Sequence, residues 1–165
     1  MGHSKISRLS LALLPLMVSG SAFAGELVVG IGYDDVFQQR TDPLLASVEV
    51  RSEPFYQNNW VQIAGGAAVQ FDQNADVWAG GGLVAYVPIN DAFRLEASFM
   101  PGFYNEGTKG NDLGLALEFR SLIGASYAIA ENYRVGLYLD HKSNGNLSET
   151  NPGVETLTFS VLREF

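Results

Sequence analysis

The sequence predicts an all-β chain: an eight-stranded antiparallel transmembrane β-barrel of the bacterial outer membrane, carried behind a secretory signal peptide. Three observations predict it. Alternation with period two recurs from Glu26 to the end of the chain, with no stretch of helical period. The 18 Gly and the 12% aromatic content of the 165 residues favour short strands and turns over a helical bundle. The alternating segments also sort into one apolar face and one face that mixes small residues with charges of both signs. Composition closes other routes. Ten Lys plus Arg against eighteen Asp plus Glu is too acidic for a nucleic-acid partner. The absence of Cys excludes a disulfide framework, a Cys-based zinc site, an iron–sulfur cluster and a Cys nucleophile.

The first element is not part of the barrel. Lys5 and Arg8 precede an apolar run from Leu9 to Val18, and Ser21-Ala22-Phe23-Ala24 supplies an Ala-x-Ala cleavage pattern. Residues 1–24 therefore read as a signal peptide cut after Ala24. The apolar run falls short of the roughly 20 residues that a membrane-spanning anchor needs. Removing it leaves 25–165 as the barrel, with eight basic residues against eighteen acidic ones and one histidine, His141.

The strands follow in order: 26–37, 45–53, 60–72, 77–88, 92–104, 112–127, 132–143 and 154–165. Turn chemistry separates them at Thr41-Asp42-Pro43, Glu53-Pro54, Asp72-Gln73-Asn74, Pro88-Ile89-Asn90-Asp91, Gly107 to Asn111, Glu131-Asn132 and Asn144 to Gly153. The fifth segment sets Phe93, Leu95, Ala97 and Phe99 against Arg94, Glu96, Ser98 and Met100. The sixth sets Leu113, Leu115, Leu117 and Phe119 against Gly114, Ala116, Glu118 and Arg120. The seventh sets Tyr133, Val135, Leu137 and Leu139 against Arg134, Gly136, Tyr138 and Asp140, and the eighth sets Leu157, Phe159 and Val161 against Thr158, Ser160 and Leu162.

An eight-stranded barrel is just wide enough to be filled by side chains. Arg51, Arg94, Arg120 and Arg134 with Glu49, Glu96 and Glu118 suit such a plugged polar interior, and the apolar rows then face lipid. Aromatic residues near strand ends, Trp60, Trp78, Tyr104, Tyr127 and Tyr133 among them, suit an interfacial girdle, and the last strand ends on Phe165. A soluble lipid-binding barrel of lipocalin type is the competing architecture; it would have to bury these charges in an apolar cavity or expose the Leu and Phe rows to water. The even strand count places both termini in the periplasm and the connections 38–44, 73–76, 105–111 and 144–153 outside.

His141 stands in Asp140-His141-Lys142-Ser143-Asn144-Gly145, at the outer end of the seventh segment. His141 and Ser143 share the lipid-facing side, and Glu155 heads the same side of the next strand. The chemistry open to this cluster is acyl transfer, with Ser143 as nucleophile, His141 as base and Glu155 orienting the imidazole. Backbone N–H groups of Asn144 and Gly145 and the side chain of Asn151 are the candidate oxyanion donors. On spacing alone the same residues also suit an interfacial histidine, a loop start and a rim charge. No metal-ligand pattern is present, and Gly65-Gly66 and Gly80-Gly81-Gly82 do not follow the phosphate-loop pattern.

With His141-Lys142-Ser143-Asn144-Gly145 followed by Asn151-Pro152-Gly153-Val154-Glu155 and a terminal alternating strand ending in Phe165, the sequence resembles the PagL-type lipid A 3-O-deacylases. In that family a His-x-Ser-Asn motif is completed by an Asn ten positions after the His and a Glu fourteen positions after it. His141, Ser143, Asn151 and Glu155 match in type and spacing, and the match covers about the last 30 residues. The resemblance implies hydrolysis of the ester-linked 3-hydroxyacyl chain at position 3 of lipid A, without cofactor or metal, by a site on strands seven and eight facing the outer leaflet. It implies lipopolysaccharide and outer-membrane lipids as partners and leaves a homodimer open. Lys142, Arg163 and Lys109, or bridging divalent cations, are the candidates for offsetting the substrate's phosphates. A non-catalytic small barrel with a structural, adhesive or resistance role is the alternative function.

Overall fold

The computed structural model describes residues 25–38 and 43–165. The expected signal peptide and the Thr41-Asp42 part of the first turn lie outside them. The strands are β1 (Gly25–Tyr33), β2 (Leu44–Ser52), β3 (Tyr56–Gln57), β4 (Gln62–Asp72), β5 (Val77–Pro88), β6 (Phe93–Asn105), β7 (Leu117–Ala130), β8 (Tyr133–Ser143) and β9 (Val154–Glu164). All pairings are antiparallel, in the order β2-β1-β9-β8-β7-β6-β5-β4-β3, and a β2–β4 ladder closes the sheet on itself. β3 is a two-residue continuation of β2 along β4. Pro54 cannot donate to a ladder, so the strand breaks there and resumes with Tyr56 opposite Ile63. The architecture is thus a closed antiparallel barrel of eight long strands with no helix among the described residues.

Parity decides what each strand shows to lipid. Ile31, Leu83, Phe99, Ile123, Leu137 and Phe159 all point outward and are more than half exposed. Charges point inward instead. Arg51 is 4% exposed and bonds Glu26, Glu49 and Glu96 at 2.9, 2.6 and 2.6 Å. Arg94 pairs with Glu26 and Glu96, and Arg120 reaches Glu49 at 3.0 Å. A chain that wears its leucines outside and its arginines inside is soluble only in lipid, which removes the lipocalin-like alternative.

Three expectations about the strands are corrected. Trp78 and Tyr104 do not join an interfacial girdle: they are 1% and 8% exposed, because both sit on the inward parity of their strands. Gly80 and Gly102 make room for the indole, since a Cβ at either would lie within 2.6 Å of it. The segment 112–116 is not strand and Leu113 does not face lipid. An Asp112 side chain caps the Gly114 N–H at 2.8 Å, Gly114 takes φ +90, and Leu113 turns into the interior at 1% exposure. Glu118 does not pair with an arginine; both its carboxylate oxygens are buried without a hydrogen-bond partner among the described residues.

The two ends of the barrel differ. Short turns and the two ends of the described chain, where Phe165 N–H bonds Gly25 O at 3.0 Å, make one end. The segments 34–38, 73–76, 106–116 and 144–153 lie at the other, called the loop end below.

Candidate active site

The expected cluster lies on the outer surface at the loop end. β8 and β9 pair so that His141 stands directly opposite Glu155, and Nδ1 of the imidazole lies 2.9 Å from Glu155 Oε1. A carboxylate only accepts, so this contact puts the ring proton on Nδ1 and leaves the Nε2 lone pair free. The His141 side chain is 46% exposed and Glu155 19%. Ser143, half-buried, follows His141 by two residues on the same outward face and stands opposite Phe119 of β7. Among the described residues no hydrogen bond joins the Ser143 hydroxyl to the imidazole.

What fixes these outward groups is the inward groups between them. Lys142 is 2% exposed, and its Nζ donates to Asp34 Oδ1, Gln70 Oε1 and Thr156 Oγ1 at 3.0, 3.0 and 2.9 Å. Asn144, Val154 and Thr156 have no exposed surface. Each outward residue of the site is therefore flanked in sequence by fully packed inward ones, and the strands that carry it are rigid. The β1–β2 connection adds a backbone clasp: Val36 N–H donates to Glu155 O at 3.0 Å, and Gln38 Nε2 to Pro152 O at 3.1 Å.

The connection 144–153 begins with a type I′ turn. Gly145 and Asn146 take φ +66 and +64, and Leu147 N–H donates to Asn144 O at 3.3 Å. Asn151 ties that turn down, accepting Asn144 N–H on Oδ1 at 3.0 Å and donating through Nδ2 to Asn146 Oδ1 at 2.8 Å. Asn144 is an anchor. Its side-chain amide donates to Leu113 O and Thr150 O, and its backbone N–H is taken by Asn151, so it does not offer that N–H to an oxyanion in this arrangement. Gly145 and Asn151 remain placed at the exposed side of the turn.

Of the cations expected to offset the substrate's phosphates, Lys142 is buried on Asp34. Arg163 lies at the far end of the barrel, its guanidinium 4.9 Å from the Phe165 ring centroid. Of these three, Lys109 is exposed at the loop end. Sequence reasoning missed Gly153. It is buried with φ +65, and a Cβ built on it would lie 2.6 Å from His141 Cε1, so the imidazole rests against its bare Cα. Its position between Pro152 and the head of β9 was the available signal: a glycine two residues before Glu155, where the loop must return over the histidine.

Known proteins share the family signature and the architecture of this chain. A family model described as lipid A 3-O-deacylase (PagL) matches residues 28–163. Among solved structures, the outer-membrane enzyme PagL superposes with a TM-score of 0.66 at 18% identity, over 85% of this chain and 99% of that one. A de novo designed transmembrane β-barrel gives 0.57 at 7% identity, over 87% and 97% of the two chains. Neisserial surface protein A gives 0.54 at 13%, over 86% and 96%. At these identities the superpositions speak for the barrel fold. No curated protein sequence matches.

Proposed function

The chain belongs to the lipid A 3-O-deacylase (PagL) family, and from that premise we propose that it hydrolyses the ester-linked 3-hydroxyacyl chain at position 3 of lipid A, with Ser143 as nucleophile, His141 as base and acid, and Glu155 holding the imidazole. The observation that carries this reading is the His141–Glu155 pair at 2.9 Å, set among lipid-facing residues with Ser143 beside it. A hydrogen-bonded His–carboxylate pair is costly in a lipid-facing wall, and a catalytic role accounts for that cost.

Ser143 Oγ attacks the ester carbonyl while its proton passes to His141 Nε2. Glu155 accepts the Nδ1–H throughout and stabilises the imidazolium that results. The tetrahedral oxyanion meets the Gly145 backbone N–H and the second N–H of the Asn151 side chain, both on the turn beside Ser143; a single such donor is worth about 3–4 kcal/mol of barrier. Collapse expels the 3-oxygen of the glucosamine, which takes the proton from His141. Water, activated in turn by His141, then releases the 3-hydroxy fatty acid and restores Ser143. No metal or cofactor enters these steps. The loop end faces the outer leaflet in this reading, because only there does the ester of lipopolysaccharide reach the height of the site.

The test is mass spectrometry of lipid A from cells that make the protein or its Ser143→Ala variant. The wild type removes one 3-hydroxyacyl group and the variant none. Unchanged lipid A with a folded wild type in the outer membrane would overturn the reading in favour of a non-catalytic barrel.

A further inference from the structure

Beneath the loop end, facing inward, three aspartates from two connections converge. Asp34 follows β1, Asp72 ends β4 and Asp76 precedes β5; one carboxylate oxygen of each lies within 4.8 Å of the others, and all three residues are buried. Three oxygens no farther apart than that can share a point within about 2.8 Å of each, close to the 2.3–2.6 Å that Ca²⁺ takes to its ligands.

Two further observations point to a cation there. Asp72 is 9% exposed; its Oδ1 accepts the N–H groups of Asn74 and Asp76 at 2.8 and 2.9 Å, yet its Oδ2 is buried with no donor among the described residues. A buried carboxylate oxygen left without a partner carries a desolvation cost that a bound cation removes. Beside it lies a cavity of about 10 Å³, room for one water-sized sphere, bounded by Asp34, Asp72, Asp76, Trp78, Tyr104 and Lys142.

Charge supplies the third argument. Toward the other end of the interior, Glu26, Glu49 and Glu96 face Arg51, Arg94 and Arg134. At the loop end, six buried carboxylates (Asp34, Asp35, Asp72, Asp76, Glu118 and Asp140) share two buried cations, Arg120 and Lys142, among the described residues. Lys142 meets Asp34 at 3.0 Å and so offsets one charge of the aspartate trio. Two negative charges remain, the charge of one divalent ion.

We propose that Asp34, Asp72 and Asp76 form a divalent-cation site, suited to Ca²⁺, that pins the connections at the loop end together beneath the catalytic rim. The ion is structural. It lies inside the barrel, whereas His141 and Ser143 point outward from the same strands, so it touches neither substrate nor reacting atoms. This proposal stands independently of the esterase reading.

The cavity wall offers its own probe. Trp78 and Tyr104 line it, and an aromatic ring close to a bound Tb³⁺ ion sensitises the ion's luminescence. Titrating Tb³⁺ into the folded wild-type barrel in detergent should give Trp-excited emission that saturates at one ion per chain and is reversed by Ca²⁺. Trp60, exposed at the opposite end, is the only other tryptophan, and Trp60→Phe should leave the signal intact. Asp72→Asn keeps the Oδ1 acceptor for the turn but discharges the orphaned oxygen, and it should weaken Tb³⁺ binding at least tenfold. Ca²⁺ should also raise the melting temperature of the wild type and not of the variant. Absence of Ca²⁺-reversible emission from the wild type overturns the proposal, whether or not the variant folds. Emission retained at full affinity in Asp72→Asn also overturns it.

Discussion

Inside the barrel, Arg51 holds three carboxylates within 3 Å and is 4% exposed; on the rim, His141 holds one carboxylate and keeps nearly half of its side chain open. The interior groups satisfy one another several times over. A guanidinium with three acidic partners is committed to holding strands β1, β2 and β6 in register, and nothing is left to bind a substrate. The rim pair does the reverse. One imidazole nitrogen is fixed by Glu155, and the other is left for a proton that the protein does not itself supply. Inward polar groups should therefore answer to stability and outward ones to activity, although they alternate along the same strands.

The largest effect that would sharpen this contrast is Ser143→Ala. Loss of the nucleophile should lower kcat by about 10⁶-fold, below detection, with an unchanged unfolding midpoint in denaturant. Glu155→Ala comes next. Without the carboxylate the imidazole loses its fixed tautomer, and kcat should fall by about 10⁴-fold, less than for Ser143→Ala, again with little change in stability. Equal loss for the two variants in a deacylation assay would give Glu155 a further part in the chemistry.

The interior counterpart is Arg51→Met. It leaves Glu26, Glu49 and Glu96 without the ion they share, and removing one partner of a buried charged network costs about 3–5 kcal/mol. A fall of that size in the urea stability of the barrel refolded into lipid vesicles, with kcat per folded molecule unchanged, is the expected outcome. A variant as stable as the wild type would break the contrast, since it would show that the interior charges contribute nothing net to the fold.

Much of this was legible in the chain because a strand has only two faces. Parity placed His141 and Ser143 outward and Arg134, Tyr138 and Asp140 inward, and the register of β8 on β9 then set Glu155 opposite His141. The same rule applied to Trp78, Tyr104 and Lys142 points them inward; reading them as girdle or substrate contacts gave nearness to a strand end more weight than parity. The segment 112–116 alternates in sequence and still leaves the sheet, because Gly114 at φ +90 and its Asp112 cap bend the backbone whatever the hydrophobic pattern. The trio Asp34, Asp72 and Asp76 was only partly legible: Asp72 and Asp76 flank one turn, but barrel closure is what brings Asp34, from the connection after β1, to meet them. Gly153 belongs with it, because its meaning depends on where the 144–153 connection returns.

Gly153→Ala is the mildest change and the most telling about the boundary between the two regions, because the residue is buried like the interior groups yet touches the rim histidine. Two effects follow from one methyl. A left-handed φ of +65 costs an alanine about 1–2 kcal/mol, which should appear as a modest loss of stability. The new Cβ would also lie 2.6 Å from His141 Cε1, a separation that real Cβ atoms do not tolerate, so the ring must move away. The strand beneath it cannot follow, because Lys142 and Thr156 lock β8 to β9 at 2.9 Å. The imidazole therefore shifts relative to both Glu155 and Ser143. Misplacement of a reacting group by about 1 Å costs about 10²-fold in rate, so kcat should fall roughly 10–100-fold with KM for lipid A nearly constant. An unchanged kcat in a destabilised variant would mean that the strands alone position the imidazole, and that the close approach of Gly153 serves only to turn the loop.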